Sequence, residues 1–270
     1  MPFEDREMLT DFVISTHKGP TNRHPPPEKR IVHFDLKGSP LKTSYFIKIL
    51  PMLKSLGATG ILLEYEDMFP YRGILSSITA KNSYSRKNLL EILQAAKSLD
   101  LNVIPLVQTF GHLEFALKLK EFYHLREVPE SPQSLCPSLN SSFAFINEVI
   151  TQVVELHTLQ LSSKDAFGSI PELTHIHIGC DEVYQLGECP RCREKIHDQL
   201  FLDHVYNVAA FVKKTWPNLK VIIWDDQLRQ ISVELLKNSG IGKMVEPMVW
   251  VYAEGKFRIP LIFLFDLFLL

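Results

Sequence analysis

Short apolar runs recur along the chain from Ile31 onward, separated by longer segments with a different periodicity. Each run spans four to six residues and is rich in Val, Ile or Leu, and several are apolar on both faces. Such runs are typical of strands that are buried under helices in a parallel sheet. The pattern predicts six strands, at residues 31–36, 60–65, 102–107, 175–179, 221–224 and 245–250.

Helical patterns fill the gaps between these strands, at residues 43–56, 85–99, 142–156, 193–216 and 231–238. Gly57 follows the first helix, Ser85 is a favourable N-cap for the second, and Pro217 limits the fourth. Strands and helices that alternate at this spacing predict right-handed crossovers and a parallel sheet. The expected fold is α/β, a TIM-type (β/α)8 barrel that is incomplete here, with about six βα units recognisable.

Polar and aromatic residues follow each predicted strand at its carboxyl end. They are Asp35 and Lys37, then Glu64, Glu66 and Asp67, then Gln108 and His112, then Asp181 and Glu182, then Trp224, Asp225 and Asp226, and finally Trp250 and Tyr252. A single cluster of this kind is typical of a solvated loop. Six in succession indicate a functional site, because the carboxyl ends of parallel barrel strands meet around one mouth.

The chemistry of these clusters points to a sugar. Aromatic faces stack on the apolar side of a pyranose, and carboxylates bind its hydroxyls. Asp181 and Glu182 are neighbours, so they are too close in sequence for the usual opposed pair of acid and nucleophile. The residues therefore favour a mechanism in which the substrate supplies its own nucleophile.

The segment HIGCDE at 177–182 resembles the H-x-G-x-D-E signature of the family 20 β-N-acetylhexosaminidases. The blocks HFDLKG, LLEYEDMFPY, IPLVQTFGH, WDD and VEPMVW also resemble that family in the right order, from about Ile31 to Tyr252. The resemblance implies removal of terminal non-reducing GalNAc or GlcNAc from glycoconjugates, with retention through an oxazolinium intermediate. It favours a soluble intracellular branch of the family.

The resemblance also implies a role for each site residue. Glu182 would act as general acid and then as general base, while Asp181 would hold the 2-acetamido nitrogen and stabilise the oxazolinium ion. Trp224 and Trp250 would form the walls of the acetamido pocket. The other implied substrate-binding residues are Lys37, Glu66, His112 and Asp226. No metal and no cofactor is expected in this chemistry.

The sequence departs from the family at its ends. Residues 1–29 contain a proline run and are expected to form a flexible leader, and residues 30–252 a partial catalytic barrel. Residues 253–270 form an atypical hydrophobic tail, so the chain is expected to be C-terminally truncated.

A further departure from the family lies after the first strand, where Lys37 stands near the position of an arginine in the lysosomal branch. The alternative hypothesis is an inactive truncated form that only binds sugars or another protein.

Composition narrows the class of protein. Of the 270 residues, 46% are hydrophobic and 22% are charged, which excludes collagen-like, coiled-coil and fully disordered chains. The net charge of −2 shows no basic excess, so no nucleic-acid or membrane partner is expected. The acidic N-terminus predicts no signal peptide, and the expected location is cytoplasmic and also nuclear. The sequence leaves open whether the protein forms a homodimer.

The four cysteines are Cys136, Cys180, Cys189 and Cys192, and the last two have the C-x-x-C spacing of a zinc half-site. A complete zinc site needs two further ligands, for which Cys180, His177 and His197 are candidates by sequence. The favoured interpretation is a pair of free loop thiols and no metal.

Overall fold

The computed structural model describes residues 27–159 and 169–250. Its strands, in chain order, are β1 (Ile31–Asp35), β2 (Gly60–Glu64), β3 (Asn102–Leu106), β4 (Arg126–Val128), β5 (Ser131–Leu135), β6 (His175–His177), β7 (Lys220–Trp224) and β8 (Glu246–Met248). Six of them form one sheet in the order β1-β2-β3-β6-β7-β8, and every neighbouring pair is parallel. The sheet curls into part of a barrel, which confirms the predicted incomplete (β/α)8 barrel.

Helices lie between the strands as predicted. They are α1 (Thr43–Ser55), α2 (Arg86–Ser98), α3 (Glu114–Leu117), α4 (Asn140–His157), α5 (His197–Thr215) and α6 (Val233–Ser239). Short 3-10 helices cover Glu66–Met68, Gly73–Ile78, Lys120–Leu125, Leu228–Gln230 and Ile241–Lys243. The ends of the predicted strands and helices shift by at most four residues. The largest shift is at the start of α5, which begins at His197 because turns occupy the preceding residues.

Local signals explain where α2 begins and where α6 ends. The Ser85 hydroxyl accepts a hydrogen bond from the backbone N–H of Asn88, and the Asn88 side chain accepts one from Ser85 in return, which forms a capping box. Gly240 ends α6 in the left-handed conformation, with a φ of +68° that costs glycine little.

The segment between β3 and α4 contains structure that the apolar pattern did not predict. It forms the short helix α3 and an antiparallel hairpin of β4 and β5, which stands apart from the main sheet. The sequence of β5, SPQSL, is polar, so no strand was expected there. Because this insertion follows the carboxyl end of β3, it lies at the mouth of the barrel.

Alternate residues of a strand pack on opposite faces of the main sheet. Ile61 and Leu63 belong to the large core that the helices cover. Leu62, Ile104, Leu106 and Ile222 form a separate small cluster with Trp224. That cluster fills the concave side of the sheet, since side chains on a strand alternate between its faces. Glu64 lies on the same face as Leu62, so it points to the barrel interior.

Several predictions made from the sequence concern residues outside the described ranges. These residues are 1–26, which make up most of the leader, Tyr252, and the hydrophobic tail 253–270. Across residues 27–159 and 169–250, no helix has the length and apolar character required to cross a membrane.

Candidate active site

A cavity of about 520 Å³ opens at the carboxyl ends of the parallel strands. Its walls are His33, Asp35, Lys37, Glu64, Gln108, His112, Asp181, Glu182, Trp224, Val249 and Trp250. The strand-end clusters therefore converge on one mouth, as the sequence predicted. Carboxylates, imidazoles and two indole rings share this one space.

His112 lies between the two adjacent carboxylates. Its Nε2 atom is 3.1 Å from Glu182 Oε2 and 3.4 Å from Asp181 Oδ2. The hydrogen bond to Asp181 raises the pKa of His112 to about 9, although burial acts in the opposite direction. His112 is therefore an imidazolium ion at neutral pH, and its charge favours the ionised form of Asp181.

Asp181 is held in its ionised form. Burial alone would raise the pKa of Asp181, but the hydrogen bonds from His112 and Gln108 outweigh burial and lower it. Gln108 Nε2 donates to Asp181 Oδ1 and to Glu64 Oε1, both at 3.0 Å. The amide nitrogen of Gln108 is the donor in both contacts, so Gln108 ties Glu64 to Asp181 and stabilises the Asp181 carboxylate.

The backbone around Gly179 is shaped for this contact with Gln108. Gly179 has a φ of +68°, and a Cβ atom there would lie 2.0 Å from Gln108 Oε1. The same Gln108 oxygen accepts a hydrogen bond from the backbone N–H of Cys180 at 3.3 Å. The glycine of the sequence signature is therefore required by a close approach as well as by its φ value.

Glu182 is fixed by its backbone, while its side chain remains 35% exposed. Its N–H donates to Asp226 Oδ2 at 2.9 Å, and its carbonyl oxygen accepts from Gln133 Nε2 in β5 at 2.6 Å. A carboxyl group on a clamped backbone that still reaches the cavity is suited to proton transfer.

Two aspartates after β7 hold Trp250. The indole N–H of Trp250 donates to Asp226 Oδ1 and its backbone N–H donates to Asp225 Oδ1, each at 3.3 Å. Asp225 is fully buried and forms an ion pair with Arg229, with 2.7 Å between Oδ2 and Nε. The Arg229 guanidinium lies 5.6 Å from the Trp250 ring centroid. This wall of the cavity is therefore built from a charged network.

Trp224 also lines the cavity, and its ring centroid lies 4.3 Å from that of His177 and 5.8 Å from that of His33. Burial lowers the pKa of His177 to about 3, so this histidine is neutral and packs as an aromatic ring. The His33 Nε2 atom lies 3.0 Å from Glu64 Oε2. Trp224 thus presents an aromatic surface that its neighbours hold in place.

Lys37 and Glu66 form an ion pair at the edge of the cavity, with 2.7 Å between Nζ and Oε1. Glu66 is only 2% exposed, and burial raises its pKa to about 7 although Lys37 acts to lower it. Glu66 does not line the cavity, so it reaches the site only through Lys37. Glu64, two residues earlier, is the glutamate that faces the cavity.

Four non-glycine residues after the strand ends have a positive φ. They are Glu66 at +42°, His112 at +53°, Cys180 at +69° and Glu182 at +48°. Such conformations are unfavourable for most residues, at about 1–3 kcal/mol each, and they concentrate at functional sites. Here they turn the chain sharply after β2, β3 and β6, so that the side chains converge over the barrel.

The predicted site residues fall into two groups. Six of the eight line the cavity: Lys37, His112, Asp181, Glu182, Trp224 and Trp250. Glu66 and Asp226 lie behind it and hold other residues. Asp35, Glu64 and Gln108 also line the cavity; the sequence placed them in the strand-end clusters but gave them no role. His33 was in neither set, although strand alternation puts it on the same face of β1 as Asp35.

Two clusters within the described ranges have the composition of metal sites. The ligand atoms of His112, Asp181 and Glu182 lie within 4.8 Å of one another, and His112 Nε2 contacts both carboxyl groups directly. The second cluster is Glu127, Cys136, Cys189 and Cys192. The ligands proposed from sequence to complete the C-x-x-C pair lie elsewhere: Cys180 contacts Thr109, the Nδ1 atom of His177 accepts a hydrogen bond from Gly179, and the His197 ring lies beside Gly187.

Sequence comparison identifies a family and two similar proteins. Residues 43–254 match the family described as glycosyl hydrolase family 20, catalytic domain. The chain is 44% identical over 233 residues to hexosaminidase D of Homo sapiens, and 43% identical over 229 residues to hexosaminidase D of Bos taurus. These alignments cover 84% and 83% of this chain but only 45% and 62% of the relatives, so the chain spans about half the length of the curated proteins it matches.

Solved structures share the fold at low identity. The GH20 β-N-acetylhexosaminidase of Streptomyces coelicolor has a TM-score of 0.61 at 16% identity, and covers 86% of this chain and 44% of its own. The GH20 exo-β-N-acetylglucosaminidase of Vibrio harveyi, solved with N-acetylglucosamine, has a TM-score of 0.58 at 14% identity. That match covers 84% of this chain and 41% of the Vibrio harveyi chain. With the family match over most of the described barrel, these findings show that the chain belongs to glycosyl hydrolase family 20.

Proposed function

We propose that this chain carries the catalytic site of a β-N-acetylhexosaminidase. It would remove terminal non-reducing N-acetylhexosamine from glycoconjugates, with retention and with help from the substrate's own acetamido group. The observation that carries this proposal is the placement of Asp181 and Glu182 around His112, in a cavity that Trp224 and Trp250 also line. Family membership supports a glycosidase, and the geometry supports this particular mechanism.

Glu182 is the proposed proton donor. It would give its proton to the glycosidic oxygen as the bond to C1 breaks, and later take a proton from the water that attacks C1. Its exposed carboxyl group and its doubly hydrogen-bonded backbone suit both steps. The positively charged His112 lies 3.1 Å from Glu182, where it would stabilise the Glu182 carboxylate that remains after the first proton transfer.

Asp181 is the proposed partner of the acetamido group. In the first step the acetamido oxygen attacks C1, and the nitrogen develops positive charge in the oxazolinium ion. An Asp181 carboxylate with a lowered pKa would accept the N–H hydrogen bond and stabilise that charge. Oxygen atoms of Asp181 and Glu182 lie within 4.8 Å of one another, below the ~6.5–9.5 Å that separates the carboxyl groups of an inverting enzyme, which supports retention.

Hydrolysis of chromogenic N-acetylhexosaminides by the purified chain tests the proposal. Glu182→Gln should lower turnover by ~10²–10⁴ with poor leaving groups and by less with good ones. Glu234→Gln, on the exposed side of α6, is the matched control and should leave turnover unchanged. Equal losses across the leaving-group series would show that Glu182 is not the acid.

The substrate-assisted step has its own test. A thiazoline analogue of the oxazolinium intermediate should inhibit, and its binding should weaken in Asp181→Asn and in Trp224→Ala. The control is Asp100→Asn, because Asp100 is fully exposed and its φ of +52° suits asparagine. Efficient hydrolysis of a plain glucoside would contradict the mechanism. Thiazoline binding without any hydrolysis by the unmodified chain would instead favour the binding-only alternative.

A further inference from the structure

Three cysteines and one glutamate converge outside the active site. Cys136 Sγ lies 3.5 Å from Cys189 Sγ and 3.6 Å from Cys192 Sγ. All four side chains are buried, and their ligand atoms lie within 4.8 Å of one another. Cys189 and Cys192 are joined by a tight turn, in which the Cys192 N–H donates to the Cys189 carbonyl oxygen at 3.0 Å.

The spacing matches a tetrahedral thiolate site. Zinc–sulfur bonds of about 2.3 Å at tetrahedral angles place two sulfur atoms about 3.8 Å apart. The observed separations of 3.5 and 3.6 Å are close to this value. A disulfide would join only two of the sulfurs and would leave the third thiol and the carboxylate without a function in the cluster.

The carboxylate of Glu127 independently indicates a cation. Glu127 is 1% exposed, and its Oε1 atom accepts hydrogen bonds from the backbone N–H groups of Glu188 and Cys189. Its Oε2 atom is buried and has no hydrogen-bond partner. A buried carboxylate oxygen without a partner is costly unless it is neutralised or coordinates a metal.

We propose that Cys136, Cys189, Cys192 and Glu127 bind one Zn²⁺ ion in a closed structural site. Thiolates and a carboxylate are ligands that zinc accepts in four-coordinate sites. Each thiol loses its proton to solvent when it binds the ion.

The surroundings suit the charge of the site. Three thiolates and a carboxylate around one Zn²⁺ give a net charge of −2. The Ser138 hydroxyl lies 3.1 Å from Cys192 Sγ, and Lys195 Nζ donates to that hydroxyl at 3.0 Å. This chain of contacts brings a positive charge and a hydrogen-bond donor to the edge of the cluster.

The site would brace the loop that carries the catalytic pair. Residues 178–196, which follow β6, form no helix or strand. Glu127 and Cys136 belong to the β4–β5 hairpin and its continuation, while Cys189 and Cys192 belong to this loop. The same hairpin supplies Gln133 to the Glu182 carbonyl. One metal ion would therefore tie the hairpin to the loop at a second point.

Metal analysis of the full chain, purified without chelators, tests the proposal without reference to activity. We expect about one zinc ion per chain in the unmodified protein. Cys136→Ser and Glu127→Ala should lose most of it. Cys180→Ser is the matched control and should retain it, because serine can keep the contacts of Cys180 with Thr109 and the Ile178 carbonyl oxygen.

Two measurements on the unmodified protein cover variants that fail to fold. Alkylation followed by mass spectrometry should modify Cys136, Cys189 and Cys192 faster after a chelator is added. Replacement of the metal by Co²⁺ should give the sulfur-to-metal charge-transfer absorption of a tetrahedral thiolate site. A chain that holds no zinc after incubation with Zn²⁺, a disulfide at Cys136, or equal zinc loss in Cys180→Ser would each overturn the proposal.

Discussion

The positive charge on His112 leads to a prediction about stability that can be tested without an enzymatic assay. We expect His112→Asn to remove a pH-dependent part of the free energy of unfolding. Asparagine is chosen because the φ of +53° at this position is one that asparagine tolerates well, so backbone strain changes little. The variant keeps a hydrogen-bond donor beside Asp181 and Glu182, but it carries no charge at any pH.

The magnitude follows from proton linkage. Folding raises the pKa of His112 from 6.5 to about 9, chiefly through the hydrogen bond to Asp181. At about 1.4 kcal/mol per pKa unit, the bound proton contributes ~3 kcal/mol to stability. The native state binds more protons than the unfolded state between these two values. The contribution is therefore complete below the unfolded-state pKa and is lost as the pH rises through the folded-state pKa.

Guanidinium unfolding followed by tryptophan fluorescence measures this effect. The unmodified protein should be more stable than His112→Asn by ~3 kcal/mol near pH 6, and the difference should nearly vanish near pH 10. Burial raises the pKa of Glu66 to about 7, which also makes stability fall as the pH rises. That change occurs in both proteins and cancels in the comparison. A difference that does not vary with pH would show that His112 is neutral in the fold.

Two further predictions concern residues that hold the site together. Asp226→Ala removes the acceptors of the Glu182 N–H and the Trp250 indole N–H and should lower kcat/KM by about 100-fold, since each lost bond costs about 1.5 kcal/mol. In a Glu182→Gln background the loss should be much smaller, and fully additive losses would refute a positioning role. Gly179→Ala should lower the free energy of unfolding by more than the ~1–2 kcal/mol expected from φ alone, because its Cβ would meet Gln108. Gly240→Ala is the control, with the same φ of +68° and open space around it, and equal losses in chemical denaturation would exclude the clash.

Local sequence patterns determined the elements and their order. Apolar runs buried on both faces predicted β2, all five residues of which are buried. Ser85 marked the start of one helix through hydrogen bonding and Gly57 the end of another through a positive φ, and both properties act over three or four residues. Strand–helix alternation then determined the sheet order, because right-handed crossovers place each strand beside the next. The strand-end clusters reached one mouth for the same reason.

Tertiary structure decided which atoms meet there. The pairing of β2 with β3 and of β3 with β6 brings Gln108 between Glu64 and Asp181, and no local pattern records that register. Only the structure shows that Asp226 accepts a hydrogen bond from the backbone N–H of Glu182, 44 residues earlier. Cys136 Sγ contacts the Sγ atom of Cys189, 53 residues later in the chain. The β4–β5 hairpin brings Cys136 there, and the polar strands of that hairpin gave no periodic signal in the sequence. Periodicity reports which face of an element is buried, whereas a site depends on distances between elements, and only packing sets those.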